Sequence, residues 1–255
     1  MAFNFLSTFF ETETNYIHEL PVHFWSLVIL STIVWWLIYS LLSEHLLLSP
    51  YYTRLVKSNC TDGEWRDIKS RLVSNIHAIY SCSIAIYFYR NDPQFQTWDL
   101  LYTNDGIILA ATGTLGYFLY DYMLIMTDFE NLGGVNMFIH HICVVGCFLG
   151  MCYYRIYHIL IIAFCLSEIT TPFVNTRLLL LKLQLKDSIA YTINGLFMFL
   201  GFALFRFSLV IMIPYVMWQQ RDTVRRMATF TNIVSLLGFI GMSMLNTMWT
   251  YKILM

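Results

Sequence analysis

The chain is 255 residues long, and it is 58% hydrophobic, 17% aromatic and only 12% charged. Soluble domains average about 25% charged residues, so this composition excludes an ordinary soluble domain and predicts an all-α polytopic membrane protein. The formal net charge of −1 provides no basic surface, which excludes a nucleic-acid partner.

The first segment, residues 1–20, contains three glutamates and neither lysine nor arginine. It therefore lacks the basic region of a signal peptide or a transit peptide. We expect an ordered or interfacial segment, held by apolar side chains. These are Phe3, Phe5, Phe9 and Phe10.

The first predicted span runs from Val22 to Leu42, and Trp25 and Trp35-Trp36 bracket it in the manner of aromatic belts. The next stretch, Ser43 to Arg71, is polar and contains five lysines and arginines, so we interpret it as a cytosol-facing loop.

A capping box of the form Thr61-x-x-Glu64 lies inside that polar stretch. It predicts a helix start that leads into the second span, Leu72 to Tyr89. Asn75 and His77 lie on this span. Hydrogen bonding between helices is the simpler interpretation for both, and headgroup binding by His77 is the alternative.

The third span, Ile107 to Met126, follows an acidic, turn-rich connection. It begins with small residues, including Gly113-x-x-Gly116, which permit close helix approach. Asp121 lies towards its end. There it is either a solvated carboxylate at the membrane interface or part of a functional site.

The fourth span, Val135 to Tyr153, contains His140 and His141. Ionisable groups are costly at this depth, so both are functional candidates. Neighbours on a helix point about 100° apart, which predicts that one faces a cavity while the other packs. Cys143 and Cys147 lie on the face of His140, where small cysteines packing between helices are a better explanation than zinc ligands.

The fifth span starts at Ile156 and reaches Pro172 after a length that is short for a complete crossing. Either the helix continues through a proline kink to Leu181, or it is partly broken. A break would place Glu168 and Thr171 beside irregular backbone, which suits a substrate site.

The sixth span, Ile193 to Met217, contains Arg206 near its middle. An arginine there is costly, so we expect it to face the bundle interior. Glu168 is its first candidate partner and Asp121 the second. The seventh span runs from Ile233 to Trp249.

Several motifs together resemble the TLC-domain family, which includes ceramide synthases and TRAM proteins. They are Arg71-x-x-Ser74-x-x-His77-Ala78, His140-His141, Ser167-Glu168, Thr171-Pro172-Phe173 and Asn175-x-Arg177. The resemblance implies six helices around an acyl-chain cavity, with the first helix as an accessory. It divides the chain into an N-terminal segment, 1–64, and a TLC domain, 65–255.

The chain departs from the ceramide synthases, which carry a His-Asp-x-x-Asp pattern about one helix after the histidine pair. The corresponding positions here are Ser167, Glu168 and Thr171. Because threonine carries no negative charge, we expect that this chain does not make ceramide. The pattern Ser167-Glu168-x-x-Thr171-Pro172-Phe173 more closely resembles the protein-4 branch of the TLC-domain-containing proteins.

Two function classes follow. The first is lipid handling, acyl-lipid metabolism or lipid sensing, with acyl-CoA as a possible substrate, no bound cofactor and no metal. The second is a non-catalytic accessory subunit of a larger membrane complex.

The candidate catalytic residues are His140, His141 and Glu168. The candidate lipid or headgroup contacts are Arg206, Asp121, Asn175, Thr171 and His77.

The distribution of positive charge predicts the orientation. With seven spans, one side holds nine lysines and arginines and the other holds five. The first side is predicted to be cytosolic, which places the C-terminus there and the N-terminus opposite. The resemblance implies the endoplasmic reticulum or another endomembrane, and the mitochondrial inner membrane is the alternative.

Overall fold

A computed structural model describes residues 20–42, 50–227 and 229–254, without the side chains of residues 42, 52, 229–231 and 252–254. All secondary structure in these ranges is helical. The α-helices are α1 (Phe24–Leu37), α2 (Pro50–Ser58), α3 (Asp62–Asn91), α4 (Asp105–Thr127), α5 (Gly134–Tyr153), α6 (His158–Ser167), α7 (Thr171–Lys182), α8 (Ile189–Gly201), α9 (Ser208–Gln219), α10 (Arg221–Arg226) and α11 (Thr229–Leu254).

Seven helical stretches within the described ranges are long and apolar enough to cross a membrane, as predicted. They are α1, α3, α4, α5, the joined pair α6 and α7, the joined pair α8 and α9, and α11. The predicted all-α polytopic fold is therefore confirmed. The expected interfacial segment with Phe3, Phe5, Phe9 and Phe10 lies outside the described residues.

The start of α3 corrects the predicted loop from Ser43 to Arg71. The capping box is present: Thr61 Oγ1 accepts from Glu64 N at 3.3 Å, and Glu64 Oε2 accepts from Thr61 N at 2.9 Å. Helix α3 therefore begins well before the apolar stretch, and α2 occupies part of the same region. The lysines and arginines of this region lie on helices. The positive-inside rule counts such residues but does not tell whether they lie on a helix or in a loop.

Helix α1 packs closely along α4. The carbonyl of Gly113 accepts hydrogen bonds from Ser31 Oγ at 3.2 Å and Trp35 Nε1 at 3.0 Å. At Gly116 a Cβ would lie 2.8 Å from the main-chain nitrogen of Thr32, so only glycine permits this approach. The indole of Trp35 is thus buried between helices.

Two crossings contain irregular turns in their interior, and the first crossing ends in a separate π-helix, Ile38–Leu42. Between α6 and α7 one turn of 3-10 helix, Glu168–Thr170, carries the chain past Pro172 without a break. Between α8 and α9 lies a π-helix, Phe202–Phe207, which contains Arg206. The two irregular turns face each other, because the Arg206 side chain reaches Thr170. Such turns are frequent at functional sites.

The cysteines of α5 pack against glycines of α11. A Cβ at Gly241 would lie 2.8 Å from Cys143 Sγ, and a Cβ at Gly238 would collide with Cys147 Sγ. The small side chains therefore set the close approach of the two helices. Within the described part of the chain, no three potential metal ligands form a cluster.

Candidate functional site

A cavity of about 440 Å³ lies between the ends of α3, α4, α5, α7 and α11, and it extends to the π-helix. Seven of the eight predicted site residues line it. They are Asp121, His140, His141, Glu168, Thr171, Asn175 and Arg206. The folding of the chain thus brings together side chains from four separate membrane crossings.

His77 is the predicted site residue that the structure places elsewhere. Its ring is buried and stacks on Tyr117, with ring centroids 3.8 Å apart, while Ser81 Oγ lies 2.9 Å from its Nε2. Tyr117 itself lines the cavity and separates His77 from it. His77 therefore contacts α4 by ring stacking, whereas its hydrogen bond with Ser81 stays within α3, so the predicted interhelical hydrogen bond is not found among the described residues.

Both histidines of the pair line the cavity, so the prediction that one would only pack is wrong. The 100° between neighbouring side chains does not prevent this, because the cavity is wide. It extends from Asp121 on α4 to Arg206 on the π-helix, and α5 passes between them.

His141 is held on both sides of its ring. Its Nδ1 donates to the carbonyl of Met137 at 2.8 Å, and a carbonyl oxygen only accepts. Its Nε2 lies 2.9 Å from Oδ2 of Asp121, whose other oxygen accepts from Ser70 Oγ at 2.8 Å. This close contact pairs the ring of His141 with the carboxyl group of Asp121. Asp121 is therefore buried and paired, and it is not a solvated carboxylate.

His140 differs because its ring forms no hydrogen bond with another described residue, and its Nδ1 is buried. The ring packs against Trp249, with centroids 5.5 Å apart, and against Phe118 at 6.2 Å. On its other side a small apolar space of about 30 Å³ continues into the bundle. A buried polar atom without a partner carries a free-energy cost that a ligand could remove.

Arg206 forms the predicted pair with Glu168. Its Nη2 lies 3.5 Å from Glu168 Oε1, its Nε donates to Thr170 Oγ1 at 2.6 Å, and Nη2 also donates to Thr171 Oγ1 at 3.2 Å. Thr171 Oγ1 in turn donates to Glu168 Oε2 at 2.6 Å. Thr171 stands where the His-Asp-x-x-Asp pattern has its second aspartate. Its hydroxyl thus bonds to both members of the Arg206–Glu168 pair.

Asn175 joins α7 to α3. Its Nδ2 donates to the carbonyl of Arg71 at 3.0 Å and to Asn75 Oδ1 at 2.7 Å. Arg71 is also paired with Asp67 through Nε at 2.9 Å. Asn75 therefore makes the interhelical hydrogen bond that its position predicted, and Asn175 fixes one wall of the cavity.

Sequence reasoning missed Arg177 as a site residue. It lines the cavity, and its guanidinium lies 4.2 Å from the ring centroid of Tyr191. The other cavity charges are matched: Asp67 with Arg71, Asp121 with His141 and Glu168 with Arg206. No ion pair between described residues includes Arg177. The motif Asn175-x-Arg177 was the signal available in the sequence.

Membrane-crossing helices surround a buried histidine pair. The TLC-domain family model matches residues 67–255, so the chain belongs to that family. The match begins within α3 and leaves out α1 and α2.

Two relatives identify the branch. The chain is 28% identical over 198 residues to TLC domain-containing protein 4 A of Dictyostelium discoideum, covering 75% of this chain and 73% of that protein. It is 26% identical over 219 residues to TLC domain-containing protein 4-B of Danio rerio, covering 78% and 79%. The predicted resemblance to the protein-4 branch is confirmed.

Proposed function

We propose that this protein binds an acyl lipid in the histidine-lined cavity and places the polar part of that lipid beside His140. The observation that carries the proposal is an open cavity of about 440 Å³ in which a buried histidine has no hydrogen-bond partner among the described residues. Ligand cavities in proteins usually occupy about 300–1,000 Å³.

The wall chemistry suits a ligand that is apolar at one end and anionic at the other. The apolar part of the wall includes Phe118, Ile125, Met137, Met198, Phe202 and Trp249. Arg177 is the cavity cation without a carboxylate partner among the described residues, so it is the group best placed to attract a phosphate or carboxylate.

The two histidines take different roles in this proposal. His141 is already held by Met137 and Asp121, so it supplies a fixed position. His140 is free to accept a proton from a nucleophile or to donate one to a carbonyl. With acyl-CoA as substrate, the acceptor would attack the thioester carbon, and the proton taken by His140 would leave with the thiol.

The alternative class, an accessory subunit, predicts a collapsed cavity with both histidines packed. The open cavity favours lipid handling instead. By its family resemblance the protein is proposed to reside in the endoplasmic reticulum or another endomembrane, with the mitochondrial inner membrane as the alternative.

The binding proposal is tested by filling the cavity. Val174 lines it, whereas Val135 is 59% exposed on the outer surface of α5. We expect the protein purified in mild detergent to retain an acyl lipid, identified by mass spectrometry, and Val174→Trp to lose it while Val135→Trp keeps it. The same lipid content in both variants would contradict the proposal.

The chemical step needs a separate assay with labelled acyl-CoA and a panel of acceptor lipids. We expect no ceramide from a sphingoid base, because Thr171 replaces a carboxylate. Any acylated product should disappear in His140→Ala. Ceramide formation that depends on the histidines would show that the expectation drawn from Thr171 is wrong.

A further inference from the structure

A second cavity of about 430 Å³ lies on the other side of α6 and shares no lining residue with the first. Its floor is formed by Ile159, Ile162 and Ala163 of α6. Residues of α3 form one wall, and residues of the π-helix and α9 form the other. We call it the lateral groove.

Small side chains and the irregular turn of the sixth crossing both line the groove. Ala85 of α3 and Ala163 of α6 both line it. On the π-helix, Leu204 and Phe205 line the groove, whereas Arg206 lines the histidine cavity. The irregular turn therefore presents apolar side chains to one cavity and its charge to the other.

Away from one end, the groove is apolar. The polar side chain on this part of the wall is Ser208, and its hydroxyl donates to the carbonyl of Leu204 at 2.5 Å. That hydroxyl is satisfied within its own helix, so it offers no specific contact to a polar ligand. A hydrocarbon chain matches these walls.

One end of the groove is different. Tyr89, Arg90 and Trp98 lie there, a combination typical of the level of lipid headgroups. Gln220 Nε2 donates to the carbonyl of Trp98 at 2.8 Å and fixes this end of the groove. Arg90 is exposed, and no ion pair between described residues includes it.

The nearest acid along the chain does not compensate Arg90. Asp92 accepts hydrogen bonds from Tyr102 Oη at 2.6 Å and from Asn104 Nδ2 at 2.9 Å. Its carboxylate is therefore directed to the connection between α3 and α4. The positive charge of Arg90 remains available to a negatively charged group at the end of the groove.

We infer that the lateral groove is a second lipid site, which holds one acyl chain of an anionic phospholipid with the headgroup at Arg90. An arginine near a membrane surface favours an anionic over a zwitterionic lipid by about fivefold. The inference rests on the groove alone and is independent of the function proposed for the histidine cavity.

Trp98 makes the site measurable, because brominated acyl chains quench tryptophan fluorescence on contact. The full chain is placed in phosphatidylcholine nanodiscs that contain increasing fractions of dibrominated phosphatidylglycerol or dibrominated phosphatidylcholine. The signal of Trp98 is the difference between the wild type and Trp98→Phe. We expect half-maximal quenching at an about fivefold lower fraction of the anionic lipid.

Two variants and one control separate charge from shape. Arg90→Gln should make the two lipids equivalent. Arg155→Gln should retain the preference, because Arg155 is already paired with Asp105. Ala163→Leu should fill the floor and reduce quenching by both lipids. Equal quenching in the wild type, or an undiminished preference in Arg90→Gln, would overturn the inference even if Ala163→Leu does not fold.

Discussion

The two ends of the helical bundle both bury polar side chains, but they use them differently. At the loop end, formed by residues 92–104 with His158 and Gln220, polar side chains bond mainly to main-chain atoms. At the site end, around the histidine cavity, they bond mainly to one another.

At the loop end, side-chain hydrogen bonds to the main chain hold the connection between α3 and α4 in place. Asn104 Oδ1 caps α4 by accepting from Gly106 N at 2.8 Å, while the main-chain nitrogen of Asn104 donates to His158 Nδ1 at 3.0 Å. Gln220 accepts from Leu100 N at 3.1 Å. Each bond fixes the path of the connection, and His158 has a structural role.

The site end shows the opposite outcome. His140 has the same side chain as His158, but it lies beside a cavity and bonds to neither main chain nor side chain within the described ranges. Nε2 of His158 is also buried without a partner among the described residues, so the comparison teaches that one unused nitrogen does not by itself mark a functional histidine. The two histidines differ because Nδ1 of His158 is bonded to the main chain, whereas the ring of His140 forms no hydrogen bond with a described residue and lines the cavity.

The largest expected effect is at the site end. Glu168 and Arg206 are 14% and 8% exposed, so Glu168→Ala leaves a buried charge without its partner. We expect a loss of about 3 kcal/mol in stability. The measurement is thermal unfolding in detergent.

The control for this change is Asp222→Ala, which removes an exposed pair with Arg225 and should cost less than about 0.5 kcal/mol. The double change Glu168→Ala and Arg206→Met should recover part of the loss. Strictly additive losses from the two single changes would show that these side chains are not coupled.

A matched pair of substitutions tests the comparison of the two histidines directly. His158→Phe leaves the main-chain nitrogen of Asn104 without an acceptor and should cost about 2 kcal/mol. His140→Phe removes no hydrogen bond, so its stability should change by less than about 0.5 kcal/mol while the acyl lipid is lost. Equal losses of stability would remove the distinction between the two ends.

The smallest expected effect concerns pH at the loop end. Burial raises the pKa of Asp92, but hydrogen bonds from Tyr102, Asn104 and Gln94 outweigh it and place the pKa below the usual 3.8. The ionised form is therefore favoured by folding. Its contribution is complete above about pH 5 and is lost as the pH falls below about 4.

Asp92→Asn should accordingly cost about 1 kcal/mol near neutral pH, and its unfolding temperature should converge with that of the wild type in acid. Asp99→Asn is the control, because Asp99 is exposed and accepts from Leu101 N alone. A difference for Asp92→Asn that persists unchanged below pH 4 would contradict the assignment.

The sequence predicted the parts of the fold that depend on hydropathy and local spacing. The seven crossings follow from apolar length, and the start of α3 follows from the capping box at Thr61 and Glu64. The pairing of Arg206 with Glu168 was also predictable, because a mid-membrane arginine requires an acid and few are available.

The contacts that depend on how helices rotate about their axes were not predictable. Asp121 and His141 lie on different helices, and nothing in their spacing indicates that α4 turns its carboxylate towards α5. The bond from Asn175 to Arg71 joins positions 104 residues apart. Arg177 is the cavity cation without an ion-pair partner within the described structure, because the other charged side chains of the cavity pair with one another. The sequence does not reveal this, since it depends on all of those contacts together.

The π-helix at Phe202–Phe207 has a consequence for how this chain tolerates insertions and deletions. A π turn is an α-helix with one extra residue, and one residue corresponds to about 100° of rotation. Removing a single residue from this turn would leave an ordinary α-helical turn, so the two halves of the crossing would keep their orientation. Within the turn the side chains would be redistributed, and Arg206 would lose the position from which it donates to Thr170. The extra residue in this turn, more than the hydropathy of the crossing, therefore decides which side chain of the sixth crossing reaches the histidine cavity.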